Sequence, residues 1–118
     1  MKILSRSIRG ATTVNKDDKS EILAATKELL SEIVKTNQIK IDDISSIIFT
    51  VTDDLTAAFP AEAARELGWN DTPLLCSKEI SVPGSLGKCI RVLLTVNTDK
   101  SPQEIKHLYL KEAVALRK

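Results

Sequence analysis

The segment from Lys88 to Val96 has hydrophobic residues on both faces of a strand, and few small folds accommodate such a strand. Alternation places Cys89 and Leu93 on one face and four aliphatic residues on the other: Ile90, Val92, Leu94 and Val96. The rest of the chain offers one long and one short helix, too few to cover both faces of a sheet of four or five strands. The pattern therefore predicts a homo-oligomer whose partner subunit covers the second face, with loops folded over the sheet as the alternative.

The long helix is predicted from Asp18 to about Lys35, where aliphatic side chains recur at helical spacing. Asp18 and Glu21, three residues apart, have the spacing of a capping box. Asn37, just past the expected end, is a candidate stop residue. Both ends of this helix are therefore marked in the sequence.

A shorter helix of about two turns is predicted within residues 59–68. Pro60 stands at its first helical position and Gly68 just past its last, which is the usual polarity of these two residues. A capping serine, a proline and a glutamate at 101–104 predict one more helical turn.

Strands are predicted at four places: 3–14, 47–52, 73–76 and 88–96. The segment 107–110 follows the last helical turn, and 111–118 stays unassigned. Together these elements predict a single α+β domain over residues 1–118, with a mixed β-sheet of about five strands.

Composition excludes several classes of protein. The chain has 118 residues, so one domain is expected, and its 17 Lys+Arg against 16 Asp+Glu lack the basic excess of nucleic-acid binders. No apolar run approaches the roughly 20 residues of a membrane helix. The N-terminus has no apolar signal segment, and we expect a cytoplasmic protein.

The cysteine and histidine content argues against metal sites and disulfides. Cys76 and Cys89 do not form a C-x-x-C pair, and His107 is the single histidine. Free thiols suit a reducing cytosol. Cys76 has no histidine near it in sequence, so a thiolate nucleophile is not favoured and a packing or hydrogen-bonding thiol is expected.

Arginine is scarce, with five residues against twelve lysines, so the arginine positions are informative. Arg91 lies in the two-faced strand, on the same face as Cys89 and Leu93. A buried cation there must be paired. The partner is either a protein carboxylate in a structural salt bridge or an anionic ligand that fits the guanidinium fork, and the sequence leaves both open.

The other candidate residues also have two interpretations. Arg9 precedes Gly10, which allows a ligand or another backbone to approach, or it is an edge-strand arginine in water. Arg65, on the short helix, is either a site residue or an ordinary surface arginine. No phosphate-binding glycine loop or nucleophile elbow accompanies them.

Glu79 follows Cys76 by three residues, so a carboxylate and a thiol border one strand end. The plainer interpretation pairs Glu79 with a surface lysine, Lys78 or Lys88. Tyr109, the sole tyrosine, is either a site residue or a core ring with a locally bonded hydroxyl.

Five segments in order along nearly the whole chain carry a family likeness: IRGATTV at 8–14, AFPA at 58–61 with REL at 65–67, CSKE at 76–79, CIRV at 89–92 and LYL at 108–110. Together they resemble the monofunctional chorismate mutases of the AroH class. The resemblance implies a homotrimer whose sheets pack as a pseudo α/β barrel, with active sites between neighbouring subunits. A partner subunit would then cover the two-faced strand.

The implied reaction is the Claisen rearrangement of chorismate to prephenate. This pericyclic step needs no nucleophile, no proton transfer, no metal and no cofactor, in keeping with the lack of acid and base groups. By resemblance Arg91 contacts the ether oxygen and a carboxylate, Arg9 binds a carboxylate, and Tyr109 donates a hydrogen bond nearby.

The resemblance also assigns the remaining site residues. Glu79 would accept a hydrogen bond from the ring hydroxyl, with Cys76 beside it. Phe59 and Arg65 would come from the adjoining subunit and close the cleft. Leu116 would add an apolar wall.

Two positions depart from the family pattern: Glu62 stands where a lysine can occur, and Leu75 where a threonine can precede the cysteine. The sequence ends at Lys118, and we expect any lid formed by a longer tail to be short or absent. These departures predict a raised KM before a lower kcat.

Two other functions fit the same arginines. Enamine and imine deaminases share the trimeric architecture and bind a carboxylate with an interface arginine, although their characteristic segments are not visible. A non-catalytic module that binds an aromatic-pathway dianion is the other alternative.

Overall fold

The computed structural model describes residues 3–117, in which five strands form one mixed sheet. The strands are β1 (Leu4–Thr13), β2 (Ile44–Val51), β3 (Leu74–Lys78), β4 (Cys89–Thr98) and β5 (Leu108–Tyr109). Their spatial order is β3-β2-β4-β1-β5. β4 is antiparallel to both of its neighbours, whereas the edge strands β3 and β5 pair in parallel with β2 and β1. The predicted α+β fold with about five strands is confirmed.

Two helices, α1 (Lys19–Asn37) and α2 (Ala61–Glu66), supply the cover for one face of this sheet. The core between them and the sheet contains Phe49, Trp69 and many aliphatic side chains, among them Ile8, Leu29, Leu30, Ile33, Ile47, Val92 and Leu94. Short 3-10 turns occupy Ile41–Asp43, Pro102–Glu104 and Lys111–Leu116. One long helix and one short helix thus bury one sheet face.

The ends of α1 differ in detail from the prediction. Asp18 caps the helix as expected, since its side chain accepts a hydrogen bond from Glu21 N at 3.0 Å. The Glu21 carboxylate returns to the amides of Asn15 and Lys16, not to that of Asp18, so the capping box is only half formed. The stop residue is Gln38, with φ of 52°, and not Asn37.

Asn37 is instead the last helical residue, and its side chain is buried. Its Nδ2 donates to Ile33 O and to Lys106 O, both at 3.0 Å, and its Oδ1 accepts from Lys106 N at 2.8 Å. A buried amide needs such partners. Asn37 therefore fastens the chain just before β5 to the end of α1.

Several boundaries shift by a few residues. α2 starts one residue after Pro60, which precedes the helix, while Gly68 follows it with φ of 88° as expected. β2 begins at Ile44, three residues before the prediction, and β3 and β4 each run two residues further. Pairing between strands, which local sequence does not encode, sets these limits.

The opposite face of the sheet is covered only at one end. There the C-terminal 3-10 turn packs Ala113 against Ala11 and Cys89. In the middle, Ile48 and Leu93 are each 39% exposed, and Leu75 at the edge is 62% exposed. Loops therefore cover part of the second face, and within residues 3–117 the rest of it faces solvent. No helix in this part of the chain is long and apolar enough to cross a bilayer.

Gly10 allows another element to approach β1 closely, as one interpretation from sequence expected, and that element is helix α1. A Cβ atom at Gly10 would lie 2.7 Å from Ile33 Cδ1 and 3.2 Å from Leu29 Cδ1 and from a Val92 methyl. A 2.7 Å contact between carbons is not tolerated, so a Cβ at this position would require α1 to move or Ile33 to change rotamer.

We predict that Gly10→Ala lowers the free energy of unfolding by about 1–3 kcal/mol, because α1 must move or Ile33 must change rotamer. Urea denaturation at fixed protein concentration measures the loss. Ile33→Val, which removes the methyl group in question, should recover part of it in the double variant. Strictly additive losses in the double variant would contradict this account.

Candidate active site

Four of the predicted site residues line one cavity on the open face of the sheet: Arg9, Glu79, Arg91 and Tyr109. The cavity has a volume of ≈ 320 Å³, and Ile48 and Leu93 contribute apolar walls. Two guanidinium groups, a carboxylate and a phenol thus lie around one small volume. This is a set suited to a small molecule that carries carboxylates.

Arg91 and Glu79 form an ion pair across this cavity. Arg91 Nη1 lies 3.2 Å from Glu79 Oε1, and Thr50 Oγ1 donates to the other carboxylate oxygen. Within one chain the Arg91 side chain is 47% exposed, because this face of the sheet is open. A guanidinium has five N–H donors and Glu79 accepts one, so the fork keeps donors for a ligand. The protein carboxylate and the anionic ligand are therefore not exclusive partners.

Strand register explains why Glu79 and Arg91 meet. Arg91 in β4 stands opposite Thr50 in β2, and β3 pairs in parallel with β2. Glu79 directly follows β3, and its N–H donates to Val51 O at 2.9 Å. The end of β3 therefore places the Glu79 carboxylate beside β2, next to the Arg91 side chain of β4. The surface pairing of Glu79 with a lysine is not observed, and Lys78 lies near Asp53 instead.

Asp54 holds the start of β4. Its carboxylate accepts from Lys88 N at 2.9 Å, and Thr52 Oγ1 accepts from Cys89 N at 3.0 Å. Lys88 has φ of 46°, and a Cβ at Gly87 would lie 2.7 Å from Asp54 Oδ2. These hydrogen bonds join the segment after β2 to the start of β4, and they hold β4 in position at Cys89, two residues before Arg91.

Arg9 is held through its backbone by His107, a residue to which the sequence assigned no part in the site. Arg9 N donates to His107 Nδ1 at 2.9 Å. Burial first, and the positive charge of Arg9 second, lower the pKa of His107, which favours the neutral ring that this acceptor role requires. The Asn37 side chain forms hydrogen bonds with the backbone of Lys106, the residue before His107. The one available signal was the position of the only histidine, two residues before Tyr109.

Phe59 and Cys76 line a second cavity, of ≈ 430 Å³, on another part of the molecule. Within one chain Cys76 therefore does not lie in the cavity of Glu79, although only three positions separate the two residues. The reason is alternation, since Cys76 packs toward the helix-covered core while Leu75 points to the open face. Glu62 also lines this second cavity and pairs with Lys19 at 3.4 Å. Arg65 is exposed on α2 and lines neither cavity.

A third cavity, of ≈ 540 Å³, adjoins the first and shares Arg9 and Tyr109 with it. Leu116 is one of its walls, together with Arg117, a residue that the sequence analysis did not select. Among residues 3–117, no ion pair occupies Arg9, Lys106 or Arg117. The scarcity of arginine was the signal that could have singled out Arg117.

Cys89 is buried beside the first cavity. Burial raises the pKa of its thiol to about 11, and the nearby Arg91 only partly offsets this. The thiol therefore stays protonated at neutral pH and contributes packing. Neither cysteine forms a disulfide.

Comparison with known proteins now decides the family. The family model for type I chorismate mutases matches residues 5–118. The chain belongs to the type I chorismate mutases. The resemblance inferred from five short segments is confirmed.

The relatives match almost end to end. The chorismate mutase AroH of Bacillus subtilis (strain 168) is 47% identical over 116 residues, which cover 98% of this chain and 91% of that protein. The chorismate mutase AroH of Thermus thermophilus is 50% identical over 113 residues, covering 95% and 93%. A solved chorismate mutase from Clostridium thermocellum superposes with a TM-score of 0.92 at 57% identity, covering 93% of this chain and 98% of that one.

Family membership establishes the activity. The chain is an enzyme, an isomerase with chorismate mutase activity in aromatic amino acid biosynthesis, and its substrate is chorismate. Members of a family share the reaction, whereas the duties of individual side chains follow from the geometry of the site.

We predict that Cys89 resists thiol reagents in the folded protein, because a thiol with a pKa of about 11 is almost entirely protonated at pH 8. In a Cys76→Ser variant Cys89 is the only thiol left. Ellman's reagent should then find no reactive thiol in native protein and one in denaturant. Rapid labelling of the native variant would contradict the burial argument.

Proposed function

We propose that chorismate rearranges to prephenate in the cavity formed by Arg9, Glu79, Arg91 and Tyr109. The observation that carries the proposal is the 3.2 Å pair of Arg91 with Glu79 in a cavity that Arg9 also lines. Chorismate is a flexible dianion, and its rearrangement needs the reacting carbons brought together in a compact, chair-like conformer. A site with fixed cations around a small volume does this by orientation and by charge.

Arg91 stabilises the transition state in this proposal. Negative charge grows on the ether oxygen as the C–O bond breaks, and a guanidinium donor already in place favours that state over the ground state. Glu79 and Thr50 hold the fork, so the donor does not reorganise during the reaction. The planar fork serves both Glu79 and the substrate at once.

Glu79 has a second duty beyond holding Arg91. Its carboxylate accepts a hydrogen bond from the ring hydroxyl, and its charge favours the positive character that develops on the ring. Because Glu79 offsets the charge of Arg91, further cations favour the binding of the two substrate carboxylates. Arg9 lies in the same cavity, with Tyr109 as a hydrogen-bond donor, and Arg117 lies in the adjoining one beside Leu116.

The working enzyme is a homotrimer in this proposal, with each site between two subunits. The support is the large apolar exposure within one chain, where Phe59 is 70% exposed and Leu75 is 62% exposed. Phe59, Arg65 and Cys76 of a neighbouring subunit then complete the cavity of Glu79 and Arg91. This arrangement explains why one chain keeps the two groups of residues apart.

Of the two departures from the family pattern, Glu62 falls in the neighbour's part of the site. Glu62 lines the cavity of Phe59 and pairs with Lys19, which offsets its charge at the cleft mouth. Leu75 lies exposed on the other face of β3. Both positions concern the capture of the dianion, and we expect them to act on KM rather than on kcat.

The whole chain, residues 1–118, acts as one domain in the cytoplasm in this proposal. One sheet joins all five strands of the described residues 3–117, and the family match runs from residue 5 to residue 118. Two free cysteines suit a reducing compartment.

We predict loss of chorismate absorbance on adding the purified protein in buffer without metal or cofactor. Arg91→Ala and Arg91→Lys should both keep the fold but lower kcat by about a hundredfold or more. The alanine removes the cation, and the single ammonium of the lysine cannot bind Glu79 and reach the ether oxygen together. Near wild-type turnover by Arg91→Lys would remove Arg91 from its role. Deamination of an imino acid, or binding of chorismate without turnover, would favour the two rival functions.

A mixing experiment tests the site between subunits. Arg91→Ala damages one half of the site and Phe59→Ala the other, so trimers assembled from both variants should contain intact sites. Random assembly of equal amounts makes about a quarter of the sites intact, and activity should rise above that of the same amounts of the two variants kept unmixed. Absence of any gain in trimers shown to be mixed would place Phe59 and Arg91 in the same subunit's site.

A further inference from the structure

Phe59 stands at the end of the loop 52–60, which joins β2 to α2. Leu55, in the middle of the loop, is 3% exposed and packs in the small core with Val14, Ile22, Ala25 and Ile90. Phe59 itself is 70% exposed, and the next residue, Pro60, is buried. The ring therefore projects from a loop that is anchored before and after it, and its position depends on those anchors.

Asp17 supplies the directional anchor of this loop. Its Oδ1 accepts from Thr56 N and from Ala57 N, both at 2.9 Å, and its Oδ2 accepts from the Thr56 hydroxyl at 2.8 Å. Three hydrogen bonds fix the orientation of two consecutive residues, and the second lies two positions before Phe59. Thr56 and Ala57 line the same cavity as Phe59.

Asp17 is free for this task because the neighbouring Asp18 caps α1. Asp18 accepts from Glu21 N at 3.0 Å and from the Ser20 hydroxyl at 2.6 Å. Two adjacent carboxylates thus have separate duties. The bonds from Thr56, its hydroxyl first, lower the pKa of Asp17 and keep the carboxylate ionised at neutral pH.

Besides the packing of Leu55 against Ile22 and Ala25, the ion pair of Lys19 with Glu62 at 3.4 Å also links α1 to the region of Phe59. The Lys19 side chain is 63% exposed, and such surface pairs contribute little and fix no single geometry. Apolar packing of Leu55 is non-directional, so the three bonds of Asp17 are what orients residues 56 and 57.

We propose that Asp17 is a positioning residue for the active site of the neighbouring subunit. It holds residues 56 and 57 so that Phe59 is presented to the cavity of Glu79 and Arg91 in the next subunit. This inference rests on the proposed site between subunits. Asp17 touches no substrate and acts only through Phe59 and its loop.

The first test compares Asp17→Ala with Asp17→Asn. The alanine removes all three bonds and should raise KM about tenfold with a smaller effect on kcat. The reason is that Phe59, the wall of the cleft, is no longer held in position, whereas Arg91 stays where it is. The asparagine oxygen can still accept from both amides, and its NH2 can donate to the Thr56 oxygen. Asp17→Asn should therefore stay within about twofold of the wild type. Equal losses in both variants would overturn the proposal.

The second test is subunit mixing, which separates positioning from general damage. Trimers of Asp17→Ala with Arg91→Ala should regain activity, by about fivefold at low chorismate relative to the unmixed pair, since about a quarter of their sites have two intact halves. Trimers of Asp17→Ala with Phe59→Ala should regain none, because both variants damage the same half of the site.

The opposite pattern would overturn the proposal. If Asp17→Ala regained activity in trimers with Phe59→Ala but not in trimers with Arg91→Ala, Asp17 would act on the site of its own subunit. Gain with neither partner would indicate general damage to the chain. The pair of Phe59→Ala with Arg91→Ala is the control, because its failure would reject the site between subunits and not the role of Asp17 alone. Should Asp17→Ala not assemble, Thr56→Val removes the hydroxyl bond only and should show the same pattern with a smaller change in KM.

Discussion

One long and one short helix cover one face of the sheet and leave most of the other face open, and the position of the site follows from this asymmetry. β4 is buried under α1 on one side, while on the other side Arg91 and Leu93 are exposed. A charged side chain is tolerated at the centre of the sheet only because that face is not part of the chain's own core. The same opening leaves apolar surface that a second copy of the chain is suited to cover.

Electrostatics then organises the open face. The pairing of Arg91 with Glu79 removes one positive and one negative charge from the balance, and Arg9 is left without a carboxylate partner among residues 3–117. The proposed site therefore keeps a free cation for a dianion, while Arg91 and Glu79 are already paired before the substrate binds. The rearrangement needs only orientation and charge, which such a preorganised site supplies without acid or base groups.

Polar side chains hold the segments around this site in place. Asn37 binds the chain before β5, Asp54 binds the start of β4, and Asp17 binds the loop that carries Phe59. In each case one side chain accepts hydrogen bonds from backbone amides that are distant in sequence and otherwise unpaired. Loops of an enzyme this small bury few side chains of their own. A few bonds from side chains to the backbone therefore limit the conformations that these loops adopt.

The sequence by itself determined the helices, the central strands and the α+β class, because periodicity and caps are properties of neighbouring residues. The resemblance of five short segments gave the family and named Arg9, Glu79, Arg91 and Tyr109 as candidate site residues. Only the tertiary structure decided which of the site residues share a cavity, and it separated Cys76 from Glu79 although three positions divide them. It also revealed His107 as the acceptor for Arg9 N, a contact across 98 residues. Such pairings depend on strand register and on packing between distant segments, which no local pattern encodes.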